Sequence, residues 1–222
     1  MDRRSRADVL ALVADEIAAL ARRPIARVAI DGVDGAGKTT FADELASLLR
    51  GRHGTEAIRA SVDDFHQPRA LRYAKGASSP VGFFEDSFDY ARLKALLLDP
   101  LSADPPEPFR TACFDHRRDA RVEASPESPA DRRVLIFDGI FAHRSELVGY
   151  WDYSVFLEVS PAVSVQRCTA RAGATDAPSD PTHAVHARYV EGQAIYLTRC
   201  RPAELCTRHI ANEDLAAPIL LR

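Results

Sequence analysis

Eight residues, Gly32-Val33-Asp34-Gly35-Ala36-Gly37-Lys38-Thr39, constrain this chain more than any other stretch. They read glycine, four residues, then Gly-Lys-Thr. An apolar run, Val28-Ala29-Ile30, precedes them, and a helix-like run over 40–49 follows. Strand, glycine loop and helix are the context that a phosphate-binding P-loop requires. The glycines let backbone N–H groups turn inward around phosphate oxygens. The helix start adds about half a positive charge. Lys38 can reach the β- and γ-phosphates of a bound nucleotide, and the Thr39 hydroxyl can ligate Mg²⁺. Asp34, Ala36 and Thr40 complete the candidate nucleotide-binding set with Gly32, Gly35 and Gly37.

Composition narrows what such a loop can serve. A chain of 222 residues with 46% apolar content builds one large α/β domain rather than a disordered segment. A net charge of −3 gives no general nucleic-acid footprint. No apolar run reaches membrane-spanning length, and the first residues are charged rather than signal-like. Cys113, Cys168, Cys200 and Cys206 form no CxxC pair and read as reduced thiols. The expectation is a cytoplasmic chain with no nucleic-acid or membrane partner, acting on a small molecule; self-association into a homo-oligomer is left open. Only Lys38, Lys75 and Lys94 are lysines among 29 basic residues. A lysine inside the loop of an arginine-favouring chain points to a need for a compact ammonium charge.

Along the chain, residues 5–22 predict an amphipathic helix with Ser5 and Asp8 as a capping box. Residues 25–30 read as a buried parallel strand and 40–50 as the helix leaving the loop. A second strand over 57–62 ends in Ser61-Val62-Asp63-Asp64-Phe65-His66. Ligands of open α/β sheets bind outside the carboxyl ends of strands. Two carboxylates there can face the same crevice as the loop, or serve only as a turn or helix cap. Residues 67–85 carry Pro68, Gly76, Pro80 and Gly82 and read as a loop, made basic and aromatic by Arg69, Arg72, Tyr73 and Lys75, as suits either a substrate-facing segment or a solvated surface loop. Residues 87–98 look helical, 99–108 form a proline-rich connection, 111–115 a short strand, and 120–133 a hairpin or exposed loop. Val134-Leu135-Ile136-Phe137-Asp138-Gly139 is an apolar strand ending in Asp, the Walker B pattern, whose carboxylate holds Mg²⁺ through water. A short helix is expected over 143–150 and a strand over 153–159. A helix over 161–171 carries Arg167 and Arg171 on one face. A Gly/Ala/Asp/Ser/Pro segment (173–182), a helix (188–199) and a last strand (206–211) follow. Strands alternating with helices argue a mostly parallel sheet.

These residues carry a resemblance to the uridine kinase-like group of P-loop kinases, which includes uridine kinase, phosphoribulokinase and bacterial pantothenate kinase. Residues 32–40 (GVDGAGKTT) are typical of the group. Ser61-Val62-Asp63-Asp64-Phe65-His66 resembles its Ser-x-Asp-x-Phe segment, and Phe114-Asp115-His116 its Tyr-Asp-…-His stretch. Residues 135–140 match a Phe-Glu-Gly-Ile segment, with Asp for Glu. The resemblance spans about 27–218. It implies an α/β, three-layer P-loop nucleoside-triphosphate hydrolase-type fold with a mostly parallel central sheet flanked by helices. The whole chain, 1–222, would be a single kinase domain with a small lid over about 167–188.

The implied activity is ATP- and Mg²⁺-dependent phosphorylation of a hydroxyl on a small metabolite, a nucleoside such as uridine first. Asp63 is the implied base, with Asp64 its neighbour in that role. Arg167 and Arg171 match lid arginines that stabilise the transferring phosphoryl group, and Thr39 with Asp138 would hold the metal. Asp64, His66, Arg69, Tyr73, Phe83, Glu85, Phe114 and His116 are the candidate acceptor contacts. Phe83-Phe84-Glu85 stands where uridine kinases carry Asp-His-Pro, a form closer to pantothenate kinase and its sugar-phosphorylating relatives. Pantothenate or a sugar is therefore the alternative acceptor. A nucleotide-binding switch that hydrolyses ATP slowly and signals to a partner is the reading from another class.

Overall fold

A computed structural model describes residues 2–3, 5–20, 24–129, 133–173 and 177–222 of the chain. The expected end of the first helix, and parts of the 120–133 and 173–182 segments and of the lid, lie outside the described residues. Strand β1 (Asp2–Arg3) leads into helix α1 (Arg6–Ala19), whose Ser5–Asp8 capping box is present in full. Strand β2 (Ile25–Gly32) is buried along its whole length and delivers the glycine loop to α2 (Lys38–His53). Gly37 caps α2 at φ 87°, a left-handed conformation costly for any residue with a Cβ.

Next come β3 (Ala57–Ser61), a 3₁₀ turn over Val62–Phe65, and the short helices α3 (Arg69–Arg72) and α4 (Pro80–Asp86). The 67–85 segment is thus not the loop expected from its prolines. Pro68 directly precedes α3, and Pro80 opens α4 behind a Ser79 cap, so both start helices. The helix expected over 87–98 begins later, at α5 (Tyr90–Leu93) capped by Asp89, and runs on through a π-helical turn (Lys94–Leu98) into α6 (Asp99–Ser102). Pro100 follows the π-helical turn, and the Leu96 carbonyl one turn before it accepts instead from the Arg110 N–H at 2.8 Å. A small hairpin pairs β4 (Phe114–Asp115) with β5 (Ala120–Arg121). Strand β6 (Arg133–Gly139) is followed by turns and one 3₁₀ turn, Val148–Tyr150, instead of the helix expected over 143–150. Then come β7 (Tyr153–Glu158), α7 (Pro161–Ala172), α8 (Ala187–Cys200), α9 (Pro202–Leu205) and β8 (Arg208–Ala211). A further strand, β9 (Ile219–Leu220), makes 206–211 the penultimate strand rather than the last; at two residues it is too short for any periodicity to show.

The main sheet has the order β1-β9-β8-β7-β2-β6-β3, parallel from β8 to β3 and antiparallel only at the β9 and β1 edge. One apolar core lies between the sheet and α1 with α2, built on Val13, Ile17, Phe41 and Leu45. The other face is aromatic, with Phe65, Phe83, Phe88, Phe137, Phe141 and Tyr196. The result is a three-layer α/β fold. Among the described residues, no helix is long and apolar enough to cross a membrane.

Register decides where the chemistry falls. Asp138 on β6 pairs with Ile30 of β2 on one side and Ser61 of β3 on the other. Three strands therefore end level at one sheet edge. Gly32 stands where β2 meets β7: a Cβ there would lie 2.5 Å from the Leu157 carbonyl oxygen, at a φ of 154°. Gly32→Ala is expected to lower stability by about 2–4 kcal/mol, read from urea unfolding, because both the backbone strain and the strand contact must give.

Candidate active site

The level strand ends open on a cleft of about 210 Å³ lined by Asp34, Gly35, Gly37, Lys38, Thr39, Thr40, Ser61, Asp63, Asp138, Arg167 and Arg171. Side chains from the loop itself and from later elements hold it in place. Lys38 Nζ donates to the Val33 carbonyl at 2.9 Å, folding the ammonium back over the loop. The buried Asn212 donates its Nδ2 to the Ala36 carbonyl at 2.7 Å, next to Gly37. Asp34 pairs with Gln193 in both directions: its N–H donates to Oε1 at 3.2 Å, and Nε2 donates to its Oδ2 at 3.1 Å. Burial raises the Asp34 carboxyl above the usual range, against the pull of the Lys38 ammonium.

Thr39 and Asp138 lie side by side, the Thr39 hydroxyl donating to Asp138 Oδ2 at 2.7 Å. A hydroxyl and a carboxylate side by side form a hard-oxygen pair suited to Mg²⁺ shared with phosphate and water. Asp138 is 2% exposed, and its second oxygen accepts from Arg59 Nη2 at 2.7 Å. Arg59 also donates to Asp43 Oδ1 at 3.0 Å and to the Ile136 carbonyl at 2.7 Å. Sequence reading passed over Arg59. It lies at alternate spacing from Ser61 on β3, a hint that its side chain points toward the same neighbours.

Asp63 lies in the 3₁₀ turn beyond β3, its N–H donating to Ser61 Oγ at 3.4 Å. The Asp63 carbonyl accepts from His66 Nδ1 at 2.8 Å, which places the imidazole proton on Nδ1. Burial pushes the His66 pKa down, partly offset by that hydrogen bond. The His66 ring lies 4.6 Å from Phe88 and 4.8 Å from His116 between centroids. Asp64 is raised above the usual carboxylate range, first by burial and then by Asp63 and Asp138.

The remaining candidates are spread more widely. Phe83 and Phe114 are core side chains. Arg69 donates its backbone N–H to Asp119, and Tyr73 lies under the Arg188 guanidinium, 4.6 Å from its ring centroid. Glu85 is bound to Lys75 at 2.7 Å and lies 3.7 Å from Arg199. Arg167 spends its guanidinium on backbone, donating to the Gly35, Asn212 and Glu213 carbonyls at 3.1, 3.1 and 2.8 Å. Among the described residues, the hydrogen bond of Arg171 is a long contact, 3.9 Å to Cys168 Sγ.

Behind the loop lies a network that sequence reading missed. Asp31, fully buried at the end of β2, accepts from His143 Nδ1 at 2.6 Å and from the Tyr196 hydroxyl, while its Oδ1 accepts the Gly32 N–H at 2.7 Å. His143 Nε2 meets Ser154 Oγ at 2.9 Å. A carboxylate directly after the apolar run Val28-Ala29-Ile30 was the signal, since Asp is seldom fully buried unless paired.

A glycine loop between a buried strand and a helix, with a strand-end carboxylate held against its threonine, defines a P-loop nucleotide-binding protein. The chain belongs to the phosphoribulokinase/uridine kinase family, whose model matches residues 27–175. It is thus a kinase, a phosphotransferase using a nucleotide. No curated protein matches it in sequence. Among solved structures, it is similar to a "possible uridine kinase" from Bacillus stearothermophilus at a TM-score of 0.70 and 22% identity, over 91% of this chain and 97% of that one. A kinase ascribed to fructose transport, from Silicibacter, gives a TM-score of 0.69 at 23% identity, over 85% and 94%. D-glycerate 3-kinase from Cryptococcus neoformans gives 0.58 at 14% identity, over 87% and 89%. At these identities the likeness shows the fold.

Proposed function

We propose that the chain transfers the γ-phosphoryl group of ATP to a hydroxyl of a small metabolite, with Asp63 as the base. One observation carries this reading. Strand register brings Asp63, Asp138 and the glycine loop to a single cleft, so that donor and acceptor groups share one space. The loop amides and Lys38 hold the phosphates, and the start of α2 favours their charge. Thr39 and Asp138 would hold Mg²⁺, which neutralises phosphate charge when bound. Asp63 takes the acceptor's proton and orients its oxygen. Arg171, with no strong protein partner among the described residues, turns toward the transferring group, while Arg167 holds the loop that Arg171 flanks.

A nucleoside is the acceptor class favoured here. The part-buried His66 and His116 rings, 4.8 Å apart between centroids, lie beside Asp63 and suit a flat base. Pantothenate and sugars are the alternatives, because Glu85 is engaged by Lys75 rather than free to grip a ribose. The test is release of ADP from ATP and Mg²⁺ in the presence of nucleosides, pantothenate, sugars and D-glycerate. Acceleration by one hydroxylated acceptor, lost with EDTA, is expected. ADP release that no metabolite accelerates would favour the switch reading instead.

A further inference from the structure

We propose that helix α8 couples the donor and acceptor halves of the site, so that nucleotide bound at the glycine loop orders residues 72–79; this rests on the two-substrate reading above. Three polar side chains on α8 are buried: Arg188, Gln193 and Tyr196. Buried polar groups are costly unless hydrogen-bonded, and each of these is satisfied by a different part of the site. Arg188 grips the segment leading into α4, donating to the carbonyls of Arg72 at 2.9 Å, Ser79 at 3.1 Å and Gly76 at 3.4 Å. Gln193 makes the reciprocal pair with Asp34 inside the glycine loop. Tyr196 donates to Asp31 and accepts the His143 N–H at 3.1 Å, fixing the strand end from which the loop springs.

The helix is a rigid connection between these grips. Arg188 and Gln193 are five residues apart, about 7.5 Å along the axis. At Gly192, α8 meets α4 with no room for a side chain: a Cβ there would lie 2.8 Å from Phe83 Cδ1 and 2.9 Å from the Pro80 carbonyl oxygen. Helices α4 and α8 therefore move together. A loop that closes on phosphates pulls on Gln193, and the same helix carries the displacement to Arg188 and the 72–79 segment. Coupling of this kind is reciprocal, so an acceptor that orders 72–79 tightens nucleotide binding in turn. Gln193 and Arg188 are positioning residues on this account, since neither touches the reacting atoms.

Hydrogen exchange of the 222-residue chain, with and without the magnesium complex of adenylyl imidodiphosphate, tests the proposal. In the wild type, nucleotide should slow exchange in the glycine loop and also, by about fivefold or more, at amides of 72–79. Gln193→Leu keeps the side-chain volume and removes both hydrogen bonds to Asp34. Protection of the loop should persist in it while protection of 72–79 is lost. Gly192→Ala forces α8 off α4 without touching Asp34 and should uncouple the two regions in the same way. It also serves if Gln193→Leu fails to fold. Equal protection of 72–79 in the variants and the wild type would overturn the proposal, as would a wild type protected at the loop alone. A wild-type loop left unprotected would overturn the nucleotide-site reading and this proposal with it.

Discussion

Asp63→Asn is expected to leave ATP binding nearly intact and to lower kcat by about a hundredfold or more, ~2.7 kcal/mol of barrier. The amide keeps the shape of the side chain and can still accept a hydrogen bond, but it cannot take the acceptor's proton at neutral pH. Nucleotide affinity should hold, because the loop amides, Lys38 and Thr39 are untouched. Single-turnover kinetics beside calorimetric nucleotide titration separate the two effects. Unchanged turnover would pass the role to Asp64. Its carboxyl is raised by burial and by Asp63, so its ionised fraction falls away at a higher pH than for an ordinary carboxylate. With Asp64 as base, the acid limb of the rate profile would lie correspondingly higher, and Asp64→Asn would abolish it.

Lys38→Ala should weaken both nucleotide binding and turnover, with kcat/KM for ATP down by about 10²–10³. The ammonium rests 2.9 Å from the Val33 carbonyl, a neutral partner that a triphosphate outcompetes by charge. Lys38→Arg should rescue poorly. The guanidinium is planar and larger, and the loop gives it no fork-shaped partner in place of a point charge. Normal ATP turnover by Lys38→Ala would remove the glycine loop from the phosphate-binding role.

The glycine loop and its candidate phosphate-binding residues were legible because their spacing is local. The glycine spacing, Lys38 and Thr39 lie in one run, and Asp138 ends a strand whose apolar composition is visible in sequence. The local structure around the candidate acceptor contacts was not. Residues 67–85 were expected to be a loop because prolines were counted as breakers, whereas Pro68 precedes α3 and Pro80 opens α4. Phe83 was singled out for its place in a motif, yet its ring packs edge-on against Phe141 and Tyr189. Arg59, His143, Gln193 and Tyr196 gain their meaning only from strand register and helix packing. Their partners are tens to more than a hundred residues away in sequence, as with Tyr196 and Asp31. No periodicity encodes such pairings. A charged residue at a buried strand end is the trace they leave, and Asp31 was one.

The arginine on β3 has a consequence for assembly of the protein. Carboxylates destined for a cation usually repel their surroundings until the cation arrives, and some small domains stay unfolded for that reason. Asp138 is spared this dependence. Its counter-charge is encoded in the neighbouring strand as Arg59, so the chain can complete its core with this carboxylate already neutralised. On the magnesium role proposed for Thr39 and Asp138, folding and metal loading become separate events, and removing magnesium with EDTA should stop turnover while leaving the fold intact.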